Sequence, residues 1–186
     1  IIPINGVNDD GCVRPETSLE SMAKLKPAFD KEGVVTAGTS SPLTDGAAAV
    51  IVCSKEYAEK NNLNIMAYIR GMAISGCNPE VMGIGPVLSS QKALERAGIK
   101  LEDVDVIEMN EAFAAQSLAC VKELGIDMSK LNIHGGAISM GHPLGASGAR
   151  ITGKAASLLQ ETGKRYALST MCVGGGQGCA TVLERA

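Results

Sequence analysis

The order of strand-like and helix-like runs constrains this chain more than any other feature. Ile65–Ser75 reads as a strand, and Pro86 opens a helix that reaches Ala97 and stops at Gly98. Asp105–Met109 is a second strand, running directly into a helix from Glu111 to Leu124. A long small-residue helix over Leu144–Thr162 closes at Gly163. Two strands follow, Tyr166–Val173 and Ala180–Glu184, separated by a glycine-rich turn. Upstream, the apolar run Ala47–Cys53 is expected to be a buried strand, with Ser54 capping a helix that extends to about Asn61. Residues 1–33 read as loop with one short helix near Pro15–Met22, limited by Pro27. This alternation predicts an α/β layered fold around a central sheet.

Composition narrows the function classes. The net charge is −3 and no basic stripe is present, which argues against nucleic acid as a partner. No apolar run approaches the ~18 residues that span a bilayer, so no membrane segment is expected. The six cysteines form no C-x-x-C pair, so a zinc framework or a disulfide scaffold is not expected. Reduced thiols in a cytoplasmic compartment are the simpler expectation. The chain opens on Ile1 rather than Met, which raises the expectation of a processed or shortened polypeptide.

Three segments carry chemistry: Asn110–Ala114, Gly135–Arg150 and Cys172–Gly178. Cys172 ends a strand where three glycines remove side-chain cover, so its thiol can face a cleft and the neighbouring N–H groups can face an oxyanion. The bland alternative is a buried, inert cysteine. His142 stands in Gly-His-Pro at a loop apex before a helix, where an imidazole can donate to a carbonyl oxygen or take a proton from a thiol. His134, the other histidine, is expected to lie off the site, near a strand end. Asn110 either caps the following helix or holds a water or carbonyl at a strand's carboxyl end. Glu111 reads as a favourable first-turn charge. A thiol near pKa ~8.5, lowered by an adjacent imidazole, suits acid/base work.

Two other glycine patterns fail. Gly148–Lys154 fits the first part of a phosphate-binding loop, but Ala155 stands where Ser or Thr is required. Gly174–Gly178 lacks the dinucleotide spacing and precedes a strand.

The three segments together resemble the thiolase family, enzymes that make or break a carbon–carbon bond between acyl-CoA units. Ser21–Phe29, Val35–Gly38, Asp45–Ala48 and Pro79–Pro86 resemble thiolase segments too, the last of the short-chain acetoacetyl-CoA type through Met82. The resemblance implies a thiolase-like layered fold. Residues 1–40 end a loop domain, 41–65 supply the last strand and helix of the N-terminal domain, and 66–186 form a C-terminal βαβαβαββ domain. It implies that His142 assists the nucleophilic cysteine and shares an oxyanion hole with a water held by Asn110. Cys172 is the acid/base at the alpha carbon, and the N–H of Gly174 helps a second oxyanion hole. Ser41 is implied at the pantetheine arm of coenzyme A and Arg14 near its nucleotide end, with Leu25, Ala28, Phe29, Ala37, Met82 and Phe113 along the channel.

The resemblance also implies CoA thioesters as substrates with no cofactor or metal, and a homo-oligomer, tetrameric by expectation. The nucleophilic cysteine of the family has no counterpart among the six present. The expected partner is therefore an N-terminal thiolase half, either a separate chain or a cleaved piece, and this polypeptide alone is expected not to turn over. Synthases of the same superfamily place histidine or asparagine where Cys172 stands. A noncatalytic acyl-CoA or lipid carrier on this scaffold would have lost Asn110, His142 or Cys172.

Overall fold

The computed structural model describes residues 3–186. Its centre is a four-stranded sheet in the order β1-β4-β3-β2, formed by β1 (Ala67–Gly76), β2 (Val106–Met109), β3 (Tyr166–Val173) and β4 (Gln177–Arg185). β2 pairs parallel with β3, while β4 runs antiparallel to both β1 and β3. Beyond β2 the ladder dwindles to a single parallel bridge between Ile107 and Leu131. With that bridge counted as a rudimentary strand, the segment from β1 onward has the expected βαβαβαββ order.

Helices cover both faces. The helices α3 (Gly85–Ala97) and α4 (Ala114–Leu124) lie on one side and α6 (Leu144–Thr162) on the other. Period-two alternation in the strands divides the core accordingly. Ala73, Ile107, Met109, Leu168, Ala180 and Val182 face α3 and α4, packing on Ala93, Leu94 and Cys120. Val106, Ala167 and Leu183 face α6 and meet Ala155, Leu158 and Leu159. Burial of each of these leucines contributes roughly 2 kcal/mol. On α6 the buried positions Ser147, Ile151, Ala155 and Leu159 recur at every fourth residue, which makes a single stripe toward the sheet. Gly98, Gly125 and Gly163 end α3, α4 and α6 in the left-handed conformation, from which the Gly98 and Gly125 N–H groups donate back to carbonyls of the last turn.

Ser18 caps the five-residue α1 (Leu19–Ala23), and Ser54 caps α2 (Lys55–Lys60) by accepting from the Tyr57 N–H at 3.1 Å. The expectation of a buried strand at Ala47–Cys53 is not met. That run is exposed and joins no ladder, with Ile51 84% and Val52 70% accessible. Apolar, β-branched composition makes a strand only where a neighbour supplies the other half of the ladder, and no described residue does so. The helix expected from Glu111 begins instead at Ala114, with Phe113 at its cap position.

Candidate active site

Asn110 and Cys172 occupy the carboxyl ends of adjacent parallel strands. Met109 of β2 stands opposite Thr170 of β3, and the Asn110 N–H donates to the Thr170 carbonyl at 3.0 Å. One step further, β2 ends and β3 reaches Cys172. The loop that carries His142 leads into α6, which runs back along the sheet and re-enters at β3. The start of α6 therefore lies over the same carboxyl edge, with Gly148 beside the sulfur of Met171. This is the edge at which α/β sheets collect ligands.

The Asn110 side chain does not cap α4. It is fully buried, and neither its Oδ1 nor its Nδ2 has a hydrogen-bond partner among the described residues. A buried amide without partners costs about 1–3 kcal/mol per group, so this is the setting of an amide that serves a water or a carbonyl oxygen.

His142 is half-buried, and burial holds its imidazole below the usual histidine range, with the Arg150 charge a smaller contribution. The ring is therefore neutral near pH 7. Its Nδ1 lies 2.6 Å from the Ser147 hydroxyl, and that hydroxyl donates to the Pro143 carbonyl at 3.2 Å. In the tautomer that leaves the hydroxyl donating to Pro143, Ser147 accepts from Nδ1–H and Nε2 keeps a free lone pair. The backbone N–H of His142 donates to the Thr44 hydroxyl at 3.1 Å. Gly141 has φ +93°, and the Thr44 side chain fills the space a β-carbon there would need.

Cys172 is 6% exposed, and burial pushes its thiol up to about 11, with the neighbouring Cys120 adding to the rise. This overturns the expectation of a thiol lowered by an adjacent imidazole: the dry surroundings dominate. At neutral pH the residue is a protonated thiol and hence a proton donor. Gly174 is exposed on the turn after β3, with open space where a β-carbon would stand.

The remaining candidates fall into three places. Ser41 runs alongside the site, its N–H and hydroxyl donating to the Ala112 carbonyl at 3.1 and 3.3 Å, and Ser40 bridges to Phe113. Leu25, Ala28, Phe29 and Ala37 form a small lobe on that side. The Ala28 N–H donates to the Val35 carbonyl, Leu25 covers Gly38, and Phe29 meets Phe113 edge to face at 6.2 Å. Met82 lies in a 3-10 turn (Pro79–Ile84) that packs on β3 and β4, its Gly83 carbonyl accepting from the Cys120 thiol at 3.3 Å. Arg14 is exposed in a turn of its own, remote in sequence and contacts from the other candidates.

Two polar residues escaped sequence reasoning. Glu111 was expected as a helix first-turn charge, yet α4 starts after it and its carboxylate turns onto the Gly135–Met140 loop. Asn132 was not singled out at all; its amide pairs with both the N–H and the carbonyl of Met109 at 2.9 Å. The only advance signal was a run of polar residues beside a strand end. His134 is exposed and lies 2.8 Å from the Lys154 amine, outside the site. Glu108, next to Asn110, is buried without a partner for its Oε1, and burial raises it to about 7 despite Lys154 and Arg150.

Known proteins share much of this sequence and fold. The model described as "Thiolase, C-terminal domain" matches residues 63–185, and "Thiolase, N-terminal domain" matches residues 2–56. A 3-ketoacyl-CoA thiolase of Vibrio vulnificus is 54% identical over 183 residues, covering 96% of this chain and 47% of that protein. One from Marinobacter nauticus is 52% identical, covering 100% of this chain and 51% of its own length. The crystal structure of human mitochondrial 3-ketoacyl-CoA thiolase superposes with a TM-score of 0.93 at 48% identity, over 95% of this chain and 45% of that one. The Bacillus anthracis acetyl-CoA acetyltransferase gives 0.93 at 44% identity, over 95% and 45%. The chain thus spans about half the length of the relatives it matches.

Proposed function

The chain belongs to the thiolase family, and from that premise we propose that it forms the carboxyl-terminal part of an enzyme that cleaves 3-ketoacyl-CoA with coenzyme A. The reverse reaction condenses two acetyl-CoA molecules to acetoacetyl-CoA, the shortest substrate of the class. The observation that carries the reading is the placement of a buried, unpartnered amide and a buried thiol at the ends of neighbouring parallel strands. The relatives' names supply the reaction class.

In this reading a cysteine from a preceding segment attacks the 3-keto carbon. His142, neutral with a free Nε2, takes that cysteine's proton. The bond between C2 and C3 breaks, and the acetyl-CoA carbanion takes a proton from Cys172. The acyl group on the cysteine then passes to the thiol of a second coenzyme A, whose proton goes to the Cys172 thiolate, and His142 returns its proton to the released cysteine. Protonated His142 and a water on Asn110 hold the thioester oxygen, while the Gly174 N–H faces the second oxyanion. A thiol raised to about 11 suits the protonation step, since its conjugate base is strong enough to regain a proton from the alpha carbon in synthesis.

The proposal includes a partner half carrying the nucleophile, a homo-oligomeric assembly, CoA thioesters without a further cofactor, and a cytoplasmic setting for six unpaired thiols. The test is thiolysis of acetoacetyl-CoA and of longer 3-ketoacyl-CoA thioesters, by the chain alone and joined to the preceding half of a relative. The joined protein is expected to turn over and the chain alone to be silent. A joined, folded protein inert toward every 3-ketoacyl-CoA would overturn the reading.

A further inference from the structure

The Glu111 carboxylate accepts from two groups that lie 21 and 27 residues further along the chain. Its Oε1 accepts from the Asn132 amide at 2.7 Å, and its Oε2 accepts from the Ile138 N–H at 3.1 Å. It also lies directly over the α-carbon of Gly136, occupying the space any side chain there would need. Ile138 is the second residue of the short α5 (Ala137–Met140), so the carboxylate caps that turn from outside.

Asn132 ties the same carboxylate to the sheet. Its backbone N–H donates to the Ile107 carbonyl at 2.8 Å; its Oδ1 accepts from the Met109 N–H and its Nδ2 donates to the Met109 carbonyl, both at 2.9 Å. The residue sits at φ +44°, a conformation that asparagine tolerates better than most residues. Its side-chain amide thus completes the edge of β2 as a strand peptide would. The residue after Met109 is Asn110; the residue two beyond the end of α5 is His142.

Both chemical groups therefore hang from one clamp. α5 is a single turn whose Gly141 N–H donates to the Ala137 carbonyl at 2.9 Å, so a tilt at Ile138 reaches His142 with little attenuation. Thr44 holds the opposite side of that loop.

Resting on the functional reading above, we propose that Glu111 and Asn132 are positioning residues that set the His142 imidazole against the Asn110 amide. Neither touches the reacting atoms. Together they convert the end of β2 and the loop before α6 into one rigid unit.

The experiment is imidazole titration by NMR on the full chain, with His134→Gln to assign the two histidines, in Glu111→Gln, Glu111→Ala and Asn132→Ala. Loss of the Glu111 charge by itself would lower the His142 midpoint, so a rise reports solvent access rather than lost charge. The midpoint of His142 is expected to rise by ~0.5 pH toward the ordinary histidine value in the alanine variants as the loop opens. Glu111→Gln, nearly isosteric but able to keep only one acceptor, is expected to shift it less. It is the decisive variant if the alanine variants do not fold. An unmoved His142 midpoint in a folded Glu111→Gln and a folded alanine variant overturns the proposal. So does a shift of His134 equal to that of His142. In the joined enzyme the same variants are expected to lower kcat at least ~10-fold with KM nearly unchanged, the mark of lost alignment rather than lost binding. If the titration moves but the joined wild-type enzyme is inert, the clamp stands and the functional reading falls.

Discussion

The Nδ1 of His142 lies 2.6 Å from the hydroxyl of Ser147, five residues along the chain at the start of α6. With the hydroxyl donating to the Pro143 carbonyl, that contact puts the ring proton on Nδ1. Ser147→Ala removes the selection and leaves Nδ1 without its partner. In the joined enzyme it is expected to lower kcat about tenfold, equivalent to ~1.4 kcal/mol, with melting temperature little changed. A kcat equal to wild type would show that the tautomer is set elsewhere.

Cys172 is buried with its thiol pushed up to about 11, whereas Cys53 is exposed. Alkylation requires thiolate and access. At pH 7.5 iodoacetamide is expected to label Cys53 well before Cys172, and the Cys172 rate is expected to climb steeply toward pH 10. Peptide mass spectrometry of timed samples reads both. Early labelling of Cys172 at neutral pH would contradict the dry setting.

Glu108 carries a pH signature. Its folded pKa is raised from 4.5 to about 7, so the folded state binds the extra proton between those values. Its contribution to stability is complete below pH 4.5 and is lost as pH rises through 7. The loss amounts to about 3 kcal/mol. Glu108→Gln, which keeps a neutral side chain at every pH, is expected to melt higher than wild type at pH 8. The difference is expected to vanish below pH 4.5. Melting curves at four or five pH values measure it.

The glycines after Cys172 are not equivalent. Gly178 on β4 lies backbone to backbone against Gly85 at the start of α3, where no β-carbon fits. Gly174 has open space around it. Gly178→Ala is expected to destabilise the fold by ~3 kcal/mol or more. Gly174→Ala is expected to leave the melting temperature nearly unchanged and, under the proposed mechanism, to impair turnover by crowding the N–H assigned to the second oxyanion. Equal melting temperatures for the two variants would refute the distinction.

Much of the layered fold was legible before any coordinates. The bounds of Leu144–Thr162 and Tyr166–Val173 agree with the structure residue for residue. Both segments carry their own stop signal, Gly163 for the helix and the glycine run for the strand, and both bury a regular stripe. Ala47–Cys53 misled for the opposite reason: it has strand composition, but its ladder partner is not a property of its own sequence. The position of Asn110 at a strand end was legible, while its lack of a capping bond was not, since α4 begins three residues later than composition indicates. Glu111 and Asn132 were opaque because their partners lie 27 and 23 residues away along the chain. A carboxylate that caps another element looks, in one dimension, like any surface charge.

Asn132 has a consequence for the molecule's outer boundary. By occupying the Ile107 carbonyl and both polar groups of Met109, it leaves β2 no unspent valence with which to recruit a foreign strand. One flank of the sheet is thereby sealed against templated growth by the backbone and side chain of a single residue, and any accretion of further strands is steered to the far flank, along β1.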